Sequence, residues 1–300
     1  MIICAVPYRE QRGSRAAAQI ARHPALLKDN PAAWRLSVPV TTAGTTLIYF
    51  CIPAWNEAAT VGVLLWKIRR VMEEFPRDYE ILVLDDGSTD GTLDVLAPYA
   101  RVLPLTVLRE ETRKGYGPSI ERLIRETAGR ASHPRRDVLI TMQADFTEAP
   151  EDVPGLIRKI EGGADIVEGT VVSEGRNVPR SLRLARRGVP FVLHGVGLPE
   201  GSRDPVSGFR AYRISVLKRT LADRNGVPLL HADGWAANVE LLHAVAPHSR
   251  RTEGLEVERR YEMRQRESRF RPWSAVVDVW NISKKLRRSP PVVAAPDSTG

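Results

Sequence analysis

The sequence predicts an α/β domain built on a doubly wound parallel sheet. Three observations carry that prediction. Short apolar runs recur at 47–52, 81–84, 138–141 and 165–167, each of a length suited to a strand buried on both faces. Segments with apolar residues at helical spacing separate them, which is the alternation of parallel βαβ units. Two of the runs end in carboxylates, Asp85-Asp86 and Asp145. Those acids fall at the carboxyl edge of the sheet, where open α/β sheets bind ligands.

In chain order, residues 1–45 read as a basic extension. Arg9, Arg12, Arg15, Arg22, Lys28 and Arg35 outnumber Glu10 and Asp29, and Pro24, Pro31 and Pro39 break any periodicity. Mobility and no chemistry are expected there. The run 47–52 is the first strand. The loop Pro53-Ala54-Trp55-Asn56-Glu57 follows, and then Val61, Leu64, Leu65, Ile68, Val71, Met72 and Phe75 give a helix with one face on the sheet. After the strand 81–84 come a helix near 92–100 and a third strand within 101–108. Pro118 stands near the start of a helix bearing Ile120, Leu123 and Ile124, where its missing N–H costs little. The strand 138–141, a helix at 151–161 and the strand 165–167 complete the alternation. Beyond about Gly169 the order weakens into a basic run, a loop at 203–210, a helix at 235–245 and a strand at 255–261. A tail helix at 273–288 closes the folded part. The expected division is therefore an extension 1–45, a domain 46–272, and an amphipathic helix with a disordered tail at 273–300.

Composition narrows the function classes. The chain has 300 residues, 43% of them hydrophobic, enough for a sizeable core. Its formal charge of +8 favours a phosphate-bearing ligand, nucleic acid or an anionic membrane. Nucleic acid is disfavoured, because the basic groups lack interleaved aromatics and no recognition motif is present. No apolar run approaches the roughly 20 residues of a membrane span, so the chain is not expected to cross a bilayer. Cys4 and Cys51 form no motif, and the histidines show no metal-ligand spacing. A cytoplasmic location follows, with peripheral contact at the inner face of the membrane as its variant.

The loops restrict the chemistry. The first one, PAWNEAAT, lacks the G-x-G-x-x-G of a dinucleotide site. The glycine-rich loop after 81–84 carries Asp85, Asp86 and Asp90, which repel phosphate but suit ribose hydroxyls, base edges or a metal. A nucleotide held by base and ribose, with its phosphates reaching a cation elsewhere, fits best. Asp145 supplies the place for that cation, with Glu148 and Glu151 close behind. Glu151 reads equally well as a first-turn acid of the next helix.

IPAWNEAATV, YEILVLDDGSTDGT, RKGYG, DVLITMQADFTEAPEDV and DPVSGFRAY, in this order, resemble the family-two glycosyltransferases of GT-A fold. The chain looks most like the branch of dolichyl-phosphate mannose synthases and polyprenyl-phosphate sugar transferases. The resemblance runs from about Thr46 to about Pro272. It implies a single Rossmann-like, mostly parallel sheet flanked by helices, with C-terminal helices on the acceptor side. It also implies site roles. Pro53, Ala54, Trp55 and Glu57 match the loop holding base and ribose, Asp86 the nucleotide-binding aspartate, and Lys114 and Gly115 the closure of the base pocket. Asp145 matches the second acid of the D-x-D metal motif, with Ala144 beside it among the donor contacts. Gln143 stands where the first acid belongs; its amide still offers an oxygen, and Glu148 is the candidate to compensate. A Mg2+ or Mn2+ ion is the implied cofactor. Arg210 falls in the block of donor or acceptor phosphate contacts, and Asn238 and Glu240 correspond to the family's F-Q-x-E-L pattern. The family's arginine after the fifth strand is missing from Gly169-Thr170-Val171-Val172.

The expected reaction is inverting transfer of a hexose from GDP-mannose or a UDP-hexose to a polyprenyl or dolichyl phosphate. A phosphate acceptor is already an anion and needs no strong base; the enzyme must position it and screen two like-charged phosphate groups. Arginine suits that task, so Arg176, Arg180, Arg183 and Arg187 are candidate acceptor contacts, with Arg266 and Ser268 in the late EVERRYEMRQRESRFRP block. A solvated basic helix face explains the first run equally well. A soluble hydroxyl acceptor would instead need a carboxylate base, for which Asp204, Asp233 and Glu240 are the candidates. A silent nucleotide-sugar binder is the third reading, motivated by Gln143. The tail helix, with Trp273, Val276, Val277, Trp280 and Ile282 on one side, either lies on a membrane or covers the core.

Overall fold

The computed structural model describes residues 46–173, 180–258 and 272–288. The extension 1–45, Arg176, Arg266, Ser268 and the tail beyond residue 288 lie outside the described residues, and of Arg180 only the backbone is described. One mixed sheet organises the rest. Its strands are β1 (Leu47–Ala54), β2 (Asp78–Asp86), β3 (Leu105–Glu110), β4 (Val138–Thr141), β5 (Ile166–Ser173), β6 (Arg210–Arg213) and β7 (Thr252–Glu258), in the order β3-β2-β1-β4-β6-β5-β7.

The central strands are apolar on both sides because both sides are covered. In β1, Ile48, Phe50 and Ile52 enter one buried cluster while Leu47, Tyr49 and Cys51 enter the other. Helix α1 (Val61–Glu74) delivers Val61, Leu64, Leu65, Ile68 and Met72 to the first cluster. Helix α2 (Thr92–Tyr99) adds Leu96 to it. Across the sheet, α3 (Tyr116–Arg130) packs Ile120, Leu123 and Ile124. The first cluster also receives Val153, Leu156, Ile157 and Ile160 from α4 (Val153–Glu161). Each fully buried Leu or Ile of this kind contributes about 1.5–3 kcal/mol. Cys51 lies inside this packing, and burial pushes its thiol up to about 12, so it is a core residue without thiolate chemistry.

The parallel pairing holds for β1 with β2 and β4, for β2 with β3, and for β5 with β7. It fails at β6, which runs antiparallel to both β4 and β5. The loop expected at 203–210 therefore ends one residue early, and Arg210 opens a strand. Its sequence, RAYR, hides the strand behind a charge that is buried. The third strand also begins later than the run from Arg101 suggested, since residues 101–104 form the turn that precedes it.

Chain order reverses between β1 and β4: β2 and β3 extend to one side of β1 and the remaining strands to the other. The crevice outside the carboxyl ends of β1 and β4 is thus the topological switch point of the sheet.

Helices α5 (Arg180–Val192), α7 (Gly234–Val245) and α8 (Pro272–Arg288) form a third cluster, which includes Ala185, Val189, Trp235, Val239, Ala275, Val279, Ile282 and Leu286. Helix α6 (Ile214–Asp223) closes the second cluster with Ile214, Val216 and Leu217. The tail helix does not present one apolar side as expected. Ile282 points into the third cluster, whereas Trp273, Val277 and Trp280 point outward. Among the described residues no helix is long and apolar enough to cross a membrane.

Candidate active site

The loops after β1 and β2 are zipped together by their own polar residues. Asn56, at a left-handed φ of 54°, donates its N–H to Ser88 Oγ at 2.8 Å, and its Oδ1 accepts the Thr89 N–H at 2.7 Å. The Glu57 N–H donates to Thr92 Oγ1 at 2.9 Å and the Ala58 N–H to Asp90 Oδ2 at 3.2 Å. Ser, Thr, Asn and Asp form such local bonds readily, so DDGSTDGT is a latch as well as a ligand edge. Glu57 is buried and accepts Thr60 Oγ1 at 2.9 Å, which places its carboxylate at the start of α1.

A third loop closes on this pair. Asp86 accepts the N–H of Lys114 at 2.7 Å on Oδ1 and that of Gly115 at 2.9 Å on Oδ2. Gly87 has a φ of 69°, and a Cβ there would stand 2.8 Å from the Arg113 nitrogen, so only glycine lets the loop approach. Arg113 in turn lays its guanidinium over the Trp55 ring, 3.6 Å from the centroid. The Lys114 ammonium turns outward to Glu110 at 2.9 Å. Pro53, Ala54, Trp55, Asp86, Lys114 and Gly115 are therefore gathered around one crevice. Asp85, which the sequence marked only as one of three loop aspartates, is fully buried beside Asp86. Its Oδ1 accepts the Ser88 N–H at 3.3 Å, Oδ2 is buried with no hydrogen-bond partner among the described residues, and burial raises its carboxyl above the usual range.

The opposite wall comes from β4. Asp145 is buried and accepts Thr147 N–H at 3.1 Å and Thr147 Oγ1 at 2.7 Å. Glu148 accepts the Gln143 N–H at 2.8 Å, so the turn Gln143-Ala144-Asp145 is held by its own acid. Gly208 faces it: a Cβ there would lie 2.9 Å from Tyr116 Oη, 3.4 Å from Gln143 Nε2 and 3.5 Å from Asn238 Nδ2. Burial raises the Tyr116 hydroxyl well above its usual value, and it donates to Asn238 Oδ1 at 2.9 Å. The SGFRAY block, the QAD turn, α3 and α7 thus converge on one glycine.

Two expected site residues have other tasks. Arg210 is fully buried; it donates to the carbonyls of Asp204 at 3.0 Å, Pro205 at 2.6 Å and Asn238 at 3.0 Å, and its Nε lies 3.5 Å from Glu168 Oε1. Burial opposes its charge, yet Tyr212, Glu168 and Asp204 hold it above the ordinary arginine range. Within the fold it braces the 204–206 loop against Asn238. Its partner Glu168, missed in the sequence, also accepts Arg203 N–H at 2.7 Å and Asp204 N–H at 3.0 Å. Glu240 is likewise buried, accepting the N–H of His231 at 2.7 Å and of Ala232 at 2.9 Å, so it anchors a loop. Asp204 pairs with Arg186. Asp233, which is exposed, accepts the Gly117 N–H at 3.0 Å. Arg183 and Arg187 are exposed on α5.

Gly117→Ala is expected to break this junction. The added Cβ would meet the Ala232 carbonyl oxygen at 2.1 Å, so the backbone must move. Overpacking of this kind costs about 1–3 kcal/mol, read as a lower melting temperature together with weaker nucleotide binding.

A family model described as Glycosyl transferase family 2 matches residues 49–221. The chain belongs to that family. Within glycosyl transferase family 2, a dolichol-phosphate mannosyltransferase of Pyrococcus furiosus is 31% identical over 172 residues, which is 56% of this chain and 46% of the relative. An undecaprenyl-phosphate 4-deoxy-4-formamido-L-arabinose transferase of Pseudomonas aeruginosa is 29% identical over 67% of this chain and 59% of the relative. The chain thus spans about half the length of the relatives it matches. Among solved structures, glucosyl-3-phosphoglycerate synthase of Mycobacterium tuberculosis, in complex with Mn2+, UDP-glucose and phosphoglyceric acid, aligns with a TM-score of 0.56 at 21% identity, covering 85% of this chain and 82% of that one. Mannosyl-3-phosphoglycerate synthase of Rubrobacter xylanophilus aligns with a TM-score of 0.57 at 18% identity, covering 82% and 75%. These neighbours confirm the GT-A fold.

The family's cation can be tested against the donor set. Among the described residues no group of three His, Cys, Asp or Glu side chains gathers to hold a metal. One carboxylate, Asp145, and one amide, Gln143, share the turn after β4. That set fits a hard cation carried chiefly by diphosphate oxygens, which needs only one or two protein carboxylates.

Proposed function

We propose that the protein is an inverting glycosyltransferase that moves a hexose from a nucleotide-diphosphate sugar to a polyprenyl phosphate at a membrane surface. The observation that carries this reading is the fate of the candidate bases. Of the three candidates, Asp204 is engaged by Arg186, Glu240 by the N–H groups of His231 and Ala232, and Asp233 accepts the Gly117 N–H on Oδ1. A hydroxyl acceptor would need a carboxylate to take its proton; an anionic phosphate oxygen attacks without one. The names of both relatives, a dolichol-phosphate and an undecaprenyl-phosphate sugar transferase, support the same acceptor class.

In this mechanism the base stacks near Trp55, and the ribose lies against the latch of the first two loops. The diphosphate reaches Asp145 and Gln143. A divalent Mg2+ or Mn2+ ion held there with the diphosphate would supply charge screening to the leaving group. The acceptor phosphate oxygen forms a bond to the sugar C1 from the face opposite the diphosphate, the C1–O bond to the diphosphate breaks, and the anomeric configuration inverts. No proton changes hands. Arg183 and Arg187 are the described members of the acceptor clamp.

The test is release of GDP from GDP-mannose and of UDP from UDP-glucose, each with a short polyprenyl phosphate in detergent micelles, with a free sugar, and with no acceptor. Turnover that requires the prenyl phosphate, with an inverted glycosyl phosphate by NMR, is the expected result. Turnover on the free sugar but not on the prenyl phosphate overturns the reading.

A further inference from the structure

We propose that the outer face of helices α5 and α8 docks on an anionic lipid surface. The inference names the partner of the acceptor side and rests on the lipid-linked acceptor proposed above. The observation behind it is that α8 is apolar on opposite sides. Its inner side, Ala275, Val279, Ile282 and Leu286, is buried in the third cluster. Its outer side carries Trp273, Val277 and Trp280, which are 58%, 55% and 44% exposed. These positions follow i, i+4 and i+7, so they form one stripe. A helix that only covered a core would be polar there.

Helix α5 repeats the pattern. Ala185 and Val189 face inward, while Leu184 and Phe191 stand 58% and 83% exposed. The two helices pack against each other, and Arg287 ties the end of α8 to the His194 carbonyl at 3.0 Å. The layer therefore presents large apolar side chains that stay exposed among the described residues.

Charge decides the occupant. Arg183 and Arg187 on α5 and Lys284, Lys285, Arg287 and Arg288 on α8 are all exposed, and Asp278 is the one exposed acid on the described parts of these helices. A second copy of the chain would bring the same cations together, whereas an anionic bilayer neutralises them. The Lys284 ammonium lies 4.7 Å from the Trp280 ring centroid, a cation drawn along an apolar stem as in a side chain that snorkels. Tryptophans on an apolar stripe with a basic flank are the composition of a helix lying in the interface plane.

The experiment is co-sedimentation of the protein with vesicles of phosphatidylcholine alone and of phosphatidylcholine mixed with phosphatidylglycerol. Binding is expected only to the mixed vesicles, weakening as salt is raised. Trp273→Ser/Val277→Ser/Trp280→Ser should lower the affinity roughly tenfold or more, and Lys284→Gln/Arg288→Gln about fivefold per charge. Both variants should keep the wild-type melting curve and GDP or UDP binding, because the altered side chains are exposed. The proposal is overturned if the wild type ignores the anionic vesicles, if the variants bind them equally well, or if sedimentation velocity shows a dimer that the triple serine variant dissolves. Detergent-micelle turnover separates the two readings. Turnover without vesicle binding removes the docking face and leaves the function; vesicle binding lost in the variants, without turnover on any prenyl phosphate, does the reverse.

Discussion

Asp145→Asn should lower kcat/KM about a hundredfold or more, the loss typical of removing one preorganised electrostatic contact to a developing charge, with little change in melting temperature. The two halves of that prediction have separate causes. Asparagine keeps an oxygen to accept the N–H and Oγ1 of Thr147, the bonds that hold the turn after β4 at 3.1 and 2.7 Å. It removes the charge on which a cation shared with the diphosphate depends. Asp145→Ala removes both, and should add a stability loss of about 1–3 kcal/mol from unpaired buried donors. Steady-state kinetics and melting curves on the two variants separate the roles. If Asp145→Asn turns over like the wild type, the diphosphate does not sit at this turn.

The parts of the fold that were legible in the sequence are those where local pattern and environment agree. β1, β2 and β4 are apolar on both faces because helices cover both faces, so continuous runs announce them. DDGSTDGT announced a turn because Asp, Ser and Thr bond to nearby main chain, and here they do. Legibility fails where a residue's partner is far along the chain. β6 was hidden because Arg210 is a charge inside a sheet, tolerable only beside Glu168 of another strand. Glu168 itself sits in the apolar stretch of β5 with nothing local to mark it. The residues of Lys114 and Gly115 were placed near Asp86 by resemblance, yet a sequence does not say that main-chain amides claim both carboxylate oxygens. The periodicity of α8 found a helix but could not orient it, since residues on both of its sides are apolar.

Arg210→Met should be the most destabilising single change at the site, by about 3–5 kcal/mol, the cost of removing one partner of a buried pair. For a domain of this size that corresponds to a fall of roughly 10 °C in melting temperature. The substitution fits the volume but takes away the donors to the carbonyls of Asp204, Pro205 and Asn238 and leaves the fully buried Glu168 beside an apolar side chain. Arg210→Lys should recover only part of the loss, because one ammonium cannot reach carbonyls on two elements as the guanidinium fork does. Combining Arg210→Met with Glu168→Gln should cost less than the sum of the single changes, with a coupling of about 0.5–3 kcal/mol. The same series tests the reassignment of this residue. A phosphate contact would behave oppositely: Arg210→Met would melt like the wild type and fail to bind the nucleotide. A brace loses stability first, and activity falls only because the 204–206 loop and Asn238, which together set Gly208 against Gln143, are no longer held in place.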